Sequence, residues 1–469
     1  FLAGAGLLVG GLWSIRRNFA TTGQSLVGTG IVVLYTVTAA CRHYYDFPFF
    51  QGPAAAALLI LITATAFLLS VRLEAQSVAI IGLLGGFLTP LILATGVDNP
   101  VGLFGFIALL DLGLLAVVLH RRWNHLAGLA ALGTAIMQIG WAAKFFALEK
   151  LPTAVVVLAA FGALFALAVF VARRRGRASD WLAAAALSLP AVALGFSLYF
   201  SSLPAVAERA GWVLGNILLA DLALLAVCAL HRAFARVSLA AGLAAFGVAS
   251  IWIEAAVTDA LLPWALGFVV VAAALHSVFP FVQEKLHPGS DARRWSALFP
   301  PLALLVLLIP LAQLDEIGWW IWPVVLLINL FALAAAALTR MLLALGAALL
   351  LTLLVLGVAI MQLPAAPLGG GSRELLLVAG FSIFFCAAAV WLVRRFAGQL
   401  ADVPPVWASY LPDATAALPF LLLVMLVFKL PQTDPSMIFG VVLLLVALLY
   451  GIAIVARRGA PVLAAFAGT

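Results

Sequence analysis

The sequence predicts an all-α, polytopic transmembrane helical bundle, and three observations carry that prediction. Of the 469 residues, 66% are hydrophobic and only 9% are charged, and the mean hydropathy is +1.22, far outside the range of soluble domains. The apolar stretches are continuous rather than alternating, which favours helices over strands. Lysine and arginine gather on every second connection between them. At about 20 residues per crossing, these stretches predict about seventeen to eighteen spans.

The basic residues also predict the orientation of the chain. Only six of the 25 Lys and Arg residues fall on even-numbered connections, and the other 19 lie on odd ones. The six are Arg42, Lys144, Lys150, Arg209, Arg373 and Lys429. Because cytoplasmic loops retain Lys and Arg, the odd connections are predicted to be cytoplasmic. The formal charge of +7 then faces anionic lipid headgroups. Membrane lipids are the expected partners, and no nucleic acid is needed to explain the charge.

An internal repeat divides the spans into parallel units of four helices. Leu110–Val117 matches Ala220–Val227, and each segment is followed by a His-Arg pair. Weaker copies begin at Ile328 and Leu445, so the period is about 110 residues. The predicted units are 1–100, 101–205, 206–315, 316–432 and 433–469, the first and last being incomplete. Because four is even, successive units enter the membrane in the same direction, unlike inverted transporter repeats.

Proline and glycine mark particular helices within these units. The fourth helix of each unit carries a proline, which removes one backbone hydrogen bond and predicts a kink. These prolines are Pro90, Pro190, Pro301 and Pro419. Two small-xxx-small pairs, Gly6/Gly10 and Gly82/Gly86, predict close contact between helix backbones.

Three polar residues occupy matched places in the middle of apolar spans. Asp111 and Asp221 stand in the second and third units, and Asn329 takes the same place in the fourth. A carboxylate at the centre of a membrane costs about 2.5–3.5 kcal/mol and normally faces a bundle interior or a wet cavity. These residues are therefore a candidate proton-, cation- or substrate-binding site. The alternative is a hydrogen-bonded tie between helices.

A second polar group lies near the outer ends of the second helix of each unit. Its candidate members are His43, Tyr45, Gln138, Trp141, Lys144, Trp252 and Glu254. They predict an outward-facing vestibule in which aromatic rings stack on a sugar or a lipid headgroup. The alternative is an ordinary interfacial belt, since Trp and Tyr gather at membrane surfaces in any case.

Catalytic and metal-binding patterns are not found in this sequence. It contains no HExxH, GxSxG or Walker motif. Cys41, Cys228 and Cys386 lie far apart and suggest no metal or redox site. We therefore predict no cofactor, no metal and no catalytic residue, and favour a protein that is not an enzyme.

One stretch of the chain resembles a known family. Ile81–Leu91, which reads IGLLGGFLTPL, is followed by Asn99-Pro100 and by Arg121–Leu126, and Val27–Tyr35 precedes it. This arrangement, over roughly residues 20–145, is similar to the DUF2339 family of bacterial membrane proteins. The resemblance implies a polytopic protein of the bacterial inner (cytoplasmic) membrane and no particular activity.

Three functions fit these features. The first is a transporter or permease that handles a lipid, glycan or small solute of the bacterial envelope, and it is favoured by the mid-span carboxylates. The second is a non-catalytic scaffold or accessory subunit with protein partners in an envelope complex. The third is a membrane-embedded transferase that uses the outer polar residues, and local spacing brings none of them together.

Overall fold

The fold is an all-α helical bundle, as predicted. We describe it from a computed structural model, which defines residues 1–51, 53–94, 96–290, 292–314, 318–362, 372–396, 411–429 and 435–456. Helix accounts for 88% of the structure, and no strand occurs in the described residues.

The helices follow the predicted apolar stretches closely. The first nine are α1 (Leu2–Arg16), α2 (Ala20–His43), α3 (Pro48–Gln51), α4 (Pro53–Leu73), α5 (Gln76–Ile92), α6 (Pro100–Arg121), α7 (His125–Phe145), α8 (Leu151–Arg174) and α9 (Asp180–Ser201). The next eight are α10 (Pro204–Ala207), α11 (Ala210–Leu230), α12 (Val237–Ala256), α13 (Leu262–Leu286), α14 (Phe299–Gln313), α15 (Ile321–Thr339), α16 (Leu342–Gln362) and α17 (Ser372–Arg395). The last are α18 (Leu411–Ala417), α19 (Pro419–Lys429) and α20 (Pro435–Ala456).

Most of these helices are long enough to cross a bilayer. Within the described residues, 15 segments combine sufficient length with sufficient hydropathy. Two shorter apolar helices, α1 and α5, add to them. The result agrees with the predicted number of spans.

The chain separates into two compact units. The first comprises Phe1–Gly195 and Leu222–Phe234, and the second comprises Phe196–Asp221 and Ala235–Thr469. The predicted division into four-helix repeats is a different and finer one, and it stays a prediction.

Glycine allows helices of the first unit to meet backbone to backbone. A Cβ atom on Gly11 of α1 would lie 2.7 Å from the carbonyl oxygen of Gly23 in α2, so no larger residue fits there. The predicted role of Gly6/Gly10 is wrong, because a Cβ at either position meets nothing within 4 Å. The face of α1 that contacts α2 carries Gly4 and Gly11 instead.

The second predicted glycine pair does lie in a contact. A Cβ on Gly82 would approach Ala66 of α4 at 2.7 Å, and one on Gly86 would approach Leu110 of α6 at 2.6 Å. The segment recognised in the sequence is therefore the place where α5 packs closely on its neighbours.

In the second unit, large aromatic side chains fill the space between α12, α13 and α14. Trp252, Phe246 and Phe299 are buried with at most 1% of their surface exposed. The rings of Phe246 and Phe299 stack with centroids 6.2 Å apart. Both of these rings also lie against the imidazole of His276 in α13, with centroids 6.5 and 4.6 Å away.

Side chains at the helix ends join alternate connections within each unit. In the first unit, Arg121 contacts Glu74 at 2.5 Å, and Arg173 donates to the carbonyl oxygen of Ala229 at 2.8 Å; both contacts join odd-numbered connections. In the second unit, Gln313 donates to the carbonyl oxygen of Glu254 at 3.1 Å, which joins even ones. Each unit therefore presents its odd connections at one end, called here the odd face, and its even connections at the other, the even face.

The predicted prolines occupy two kinds of position. Pro90 and Pro190 lie inside α5 and α9, as expected. Pro301 falls in the first turn of α14, where its missing N–H is not needed, and the internal proline of that helix is Pro310. At Pro419 the helix is interrupted, since α18 ends at Ala417 and α19 begins at Pro419.

Candidate functional site

Asp111 lies in the middle of α6 and is fully buried. Asn99 fixes the start of this helix, because its side chain accepts a hydrogen bond of 2.9 Å from the backbone N–H of Gly102 and so caps the first turn. Asp111 Oδ2 accepts a hydrogen bond of 2.6 Å from the hydroxyl of Thr134 in α7. Its other oxygen, Oδ1, has no hydrogen-bond partner among the described residues. One of the two oxygens of this carboxyl group is therefore left without a partner.

Gln138 follows Thr134 on the same face of α7, one turn closer to the even face. Only 2% of its surface is exposed, yet neither its Nε2 nor its Oε1 has a hydrogen-bond partner in the described structure. A buried amide without partners is costly in an apolar medium. The Asp111 and Gln138 side chains thus place three unpartnered polar atoms within one stretch of the α6–α7 contact.

An ion pair closes the same contact at the even face. Trp141 donates from Nε1 to Asp98 Oδ1 at 2.9 Å, and Lys150 Nζ lies 2.5 Å from Asp98 Oδ2. Partial burial opposes ionisation of Asp98, but the hydrogen bonds from Lys150 and Trp141 outweigh it, so its pKa is lowered. The carboxylate and both its contacts therefore persist above the ordinary pKa and are lost only as the pH falls through the lowered value.

Asp221 is the centre of a second polar site, in the second of the two compact units. Its Oδ2 lies 2.9 Å from Nε2 of His276 in α13, and each residue is 1% exposed. Asp221 Oδ1 has no hydrogen-bond partner within the described residues. A carboxyl group and an imidazole therefore meet deep inside the bundle.

Packing fixes the imidazole ring of His276 against α12 and α14. The ring lies on Phe299 with centroids 4.6 Å apart. A Cβ on Gly242 of α12 would stand 2.7 Å from His276 Nδ1 and 2.4 Å from the Phe299 ring. Glycine is required at this position for the histidine to reach Asp221.

Asn329 forms a third mid-span site, in which both polar atoms of the side chain are hydrogen-bonded. Its Nδ2 donates to Thr352 Oγ1 at 2.8 Å and to the carbonyl oxygen of Val325 at 2.9 Å. Its Oδ1 lies 3.1 Å from the Thr352 hydroxyl. Asn329 and Thr352 are 23 residues apart, as are Asp111 and Thr134. In this third site the polar side chain joins two helices, and both of its polar atoms have partners within them.

The predicted outer residues occupy separate places. In the first unit, His43 Nε2 lies 2.7 Å from the carbonyl oxygen of Ile92, and the exposed Tyr45 stacks on Phe47. Lys144 is exposed over the ring of Phe145. Gln138 and Trp141 instead face α6, as described above.

Trp252 and Glu254, the two outer candidates in the second compact unit, differ in exposure. Trp252 is fully buried and donates from Nε1 to the carbonyl oxygen of Ala207 at 2.8 Å. Glu254 has an exposed side chain. The function of these residues as a vestibule stays a prediction.

Sequence reasoning missed the partners of the mid-span residues. His276 is a single histidine in the middle of the apolar run of α13, and that isolation was a signal available in the sequence. Thr134 and Thr352 gave no such signal, because threonine is common in membrane helices.

The described residues contain no set of side chains that could bind a metal ion. No group of three or more His, Cys, Asp or Glu side chains lies close enough to hold an ion. Cys41, Cys228 and Cys386 are buried, and none of them forms a disulfide within the described residues.

Fold and site together define a polytopic α-helical membrane protein with ionisable groups buried in its spans. The chain belongs to the DUF2339 family, whose description is "predicted membrane protein" and whose model matches residues 1–467. No curated protein and no solved structure matches the chain.

Proposed function

We propose that the protein is a permease of the bacterial inner membrane that moves a lipid, glycan or small solute of the envelope, with protons bound at its buried carboxylates. The observation that carries this proposal is the Asp221–His276 pair, in which two titratable side chains meet at 2.9 Å in the interior of the bundle. Intramembrane Asp and His residues of this kind are typical of proton relays.

The chemistry of the pair supports proton binding. Without an added proton, an ionised Asp221 beside a neutral His276 carries one negative charge. One proton on either group makes the pair neutral overall, which lowers the cost of moving it through an apolar region. A proton-dependent change in that cost is what couples proton movement to helix movement in a carrier.

A scaffold is the second candidate, and Asn329 is the observation that favours it. At this repeat-related position the chain uses a neutral amide whose hydrogen bonds are all made to α15 and α16. Polar groups of this type join helices without binding anything else. If Asp111 and Asp221 serve the same purpose, the protein holds partners in place rather than transporting a solute.

Isosteric substitutions distinguish the two functions. Asp221→Asn and His276→Gln each keep a hydrogen-bonding group and remove the ability to share a proton. In a strain that lacks the gene, we expect both variants to accumulate normally in the membrane and to leave the deletion phenotype unchanged. The readout is the distribution of envelope lipids, glycans and small solutes across the membrane, measured by mass spectrometry.

A matched control comes from the second compact unit, which also contains Asp221 and His276. Thr352→Val removes a buried mid-span hydroxyl that binds only Asn329, so it should restore the wild-type distribution. Full complementation by Asp221→Asn and His276→Gln, together with a stoichiometric partner that co-purifies with them, would establish the scaffold and refute the permease.

A further inference from the structure

Three residues on one face of α7 form a line from the level of Asp111 in α6 to the even face of the first compact unit. Thr134, Gln138 and Trp141 follow each other at spacings of four and three residues, which places them in one line along a helix. Contacts at both ends of that line show what it faces. Thr134 donates to Asp111 of α6, and Trp141 donates to Asp98 just before α6. Gln138 stands between these two contacts.

The inner part of this line has hydrogen-bonding capacity that no described residue uses. Asp111 is 0% exposed and Gln138 is 2% exposed, and the unpartnered atoms are Asp111 Oδ1, Gln138 Nε2 and Gln138 Oε1. Buried polar atoms are normally paired with protein or water. Asp111 lies on α6, and Gln138 lies on α7 one helical turn from the threonine that binds Asp111. Together they point to a ligand that both donates and accepts hydrogen bonds, such as a proton carried by water.

Aromatic rings separate this site from the even face. Trp141 and Phe104, each 5% exposed, pack edge to face with centroids 5.5 Å apart. Outside them, Asp98 holds the indole N–H of Trp141 and pairs with Lys150. Trp141 is therefore the side chain that lies between Gln138 and the ion pair at the even face.

We propose that Asp111, Thr134 and Gln138 form a proton-binding site that opens to the even face through Trp141. The proton binds Asp111 Oδ1, while Thr134 continues to donate to Oδ2. Helices α4, α5, α7 and α8 pack against α6, and their titratable residues lie only near their ends: Arg72 in α4, His125 and Lys144 in α7, and Arg173 and Arg174 in α8. Asp111 is therefore the group that takes up the proton at this depth.

This inference gives the permease proposal an entry side for its proton, and it is tested without measuring transport. The full chain, with its three cysteines changed to serine, carries Gln138→Cys and is reconstituted in vesicles of known orientation. A membrane-impermeant methanethiosulfonate is added to one face at a time. Lys144→Cys, exposed at the even face, is the positive control. Ile136→Cys is the matched negative control, because Ile136 lies at similar depth but is 56% exposed on the outer side of α7.

We expect Gln138→Cys to react from the even face only. Trp141→Phe keeps an aromatic ring but loses the bond to Asp98, so the reaction should be about fivefold faster, as loss of one ordinary hydrogen bond implies. Trp141→Ala should be faster still, and Ile136→Cys should not react in any background. Reaction from the odd face, or no reaction even with Trp141→Ala, would overturn the access route.

Proton binding itself is measured by infrared difference spectroscopy of the purified protein during pH titration. The band of a protonated carboxylic acid should disappear in Asp111→Asn, and its midpoint should shift in Gln138→Leu. A band that neither substitution alters would overturn the site. Because the thiol reaction and the infrared band do not depend on a transported solute, they can succeed even if Asp221→Asn complements fully and the permease proposal fails.

Discussion

At the scale of single residues, Asn329 and Asp111 show two uses of a polar side chain in an apolar span. Both bind a threonine of a neighbouring helix 23 residues further along the chain. Asn329 uses its donors and its acceptor, and Asp111 leaves Oδ1 unpartnered. An amide is sufficient for a tie between helices, so the more costly carboxyl group at the other position requires a separate explanation.

A double-mutant cycle measures the tie at Asn329. Asn329→Leu and Thr352→Val should each lower the free energy of unfolding in micelles by about 1 kcal/mol, because each leaves a buried polar partner behind. The double variant should lose less than the sum, with a coupling energy of about 0.6–1.7 kcal/mol. Thr65→Val is the control, since its exposed hydroxyl binds only its own helix at Leu61. Strictly additive losses would show that the two side chains do not act together.

The sequence predicted the mid-span residues but not their partners. Asp111, Asp221 and Asn329 stand out because ionisable and amide side chains are rare in apolar runs. Which helix packs on a given face is set by tertiary contacts, so neither the pairing of Asp221 with α13 nor the bond between Thr134 and Asp111 could be read from local spacing. The requirement for glycine at position 242 likewise appears only when His276 and Phe299 are in place.

At the scale of helices, α5 depends on glycine for its contacts with α2, α4 and α6. A Cβ on Gly85 would stand 2.2 Å from the ring of Tyr35. That tyrosine binds Thr63 of α4 with an oxygen–oxygen distance of 2.6 Å, and both side chains are buried. Three helices therefore meet at a point that leaves no room for one additional methyl group.

Gly85→Ala should weaken this junction. The methyl group forces Tyr35 away from Thr63, and overpacking of this kind costs about 1–3 kcal/mol, seen as a lower thermal midpoint in detergent. Gly105→Ala is the matched control in α6, because a Cβ there meets nothing within 4 Å and alanine is the better helix former. It should be as stable as the wild type or more so. Equal midpoints for the two variants would show that the Gly85 contact does not limit stability.

The glycine contacts also show which helix features the sequence could predict. Gly82 and Gly86 were predicted from spacing and lie in contacts, whereas Gly6 and Gly10 have the same spacing and lie in none. Spacing places two small residues on one face of a helix, but it does not say whether a neighbour covers that face. On α1 the neighbour covers Gly4 and Gly11 instead, which approach Gly30 and Gly23 of α2.

At the scale of the whole chain, the four-helix repeat stays a prediction. The equal spacing of Asp111–Thr134 and Asn329–Thr352 supports it, since each pair joins a helix to the next one. The predicted unit between them, residues 206–315, departs from this pattern, because Asp221 binds His276 of α13 rather than a residue of α12. Divergence at this position is what we expect if one copy gained a titratable pair while another kept a structural tie.

The charge asymmetry of the connections predicts how the chain is inserted. Fusions that end at Phe234, in the ninth connection, should be fluorescent with green fluorescent protein and inactive with alkaline phosphatase, which matures only outside the cytoplasm. Fusions that end at Asp259, in the tenth, should behave in the opposite way. Phosphatase activity at Phe234 would contradict the predicted orientation.

The same two reporters, inserted after Phe234 in the otherwise full-length chain, test whether orientation is set locally or by the chain as a whole. Arg232 and Arg236 are the only Lys or Arg residues of the ninth connection, but the bias extends over 19 of 25 basic residues, and neighbouring spans insert together. Arg232→Gln with Arg236→Gln should therefore leave the inserted reporter in the cytoplasm, because inverting one hairpin would move the basic residues of the connections on either side out of the cytoplasm. Inversion in this double variant would mean that each connection is oriented by its own charges. Retention would mean that the asymmetry acts as a property of the entire bundle.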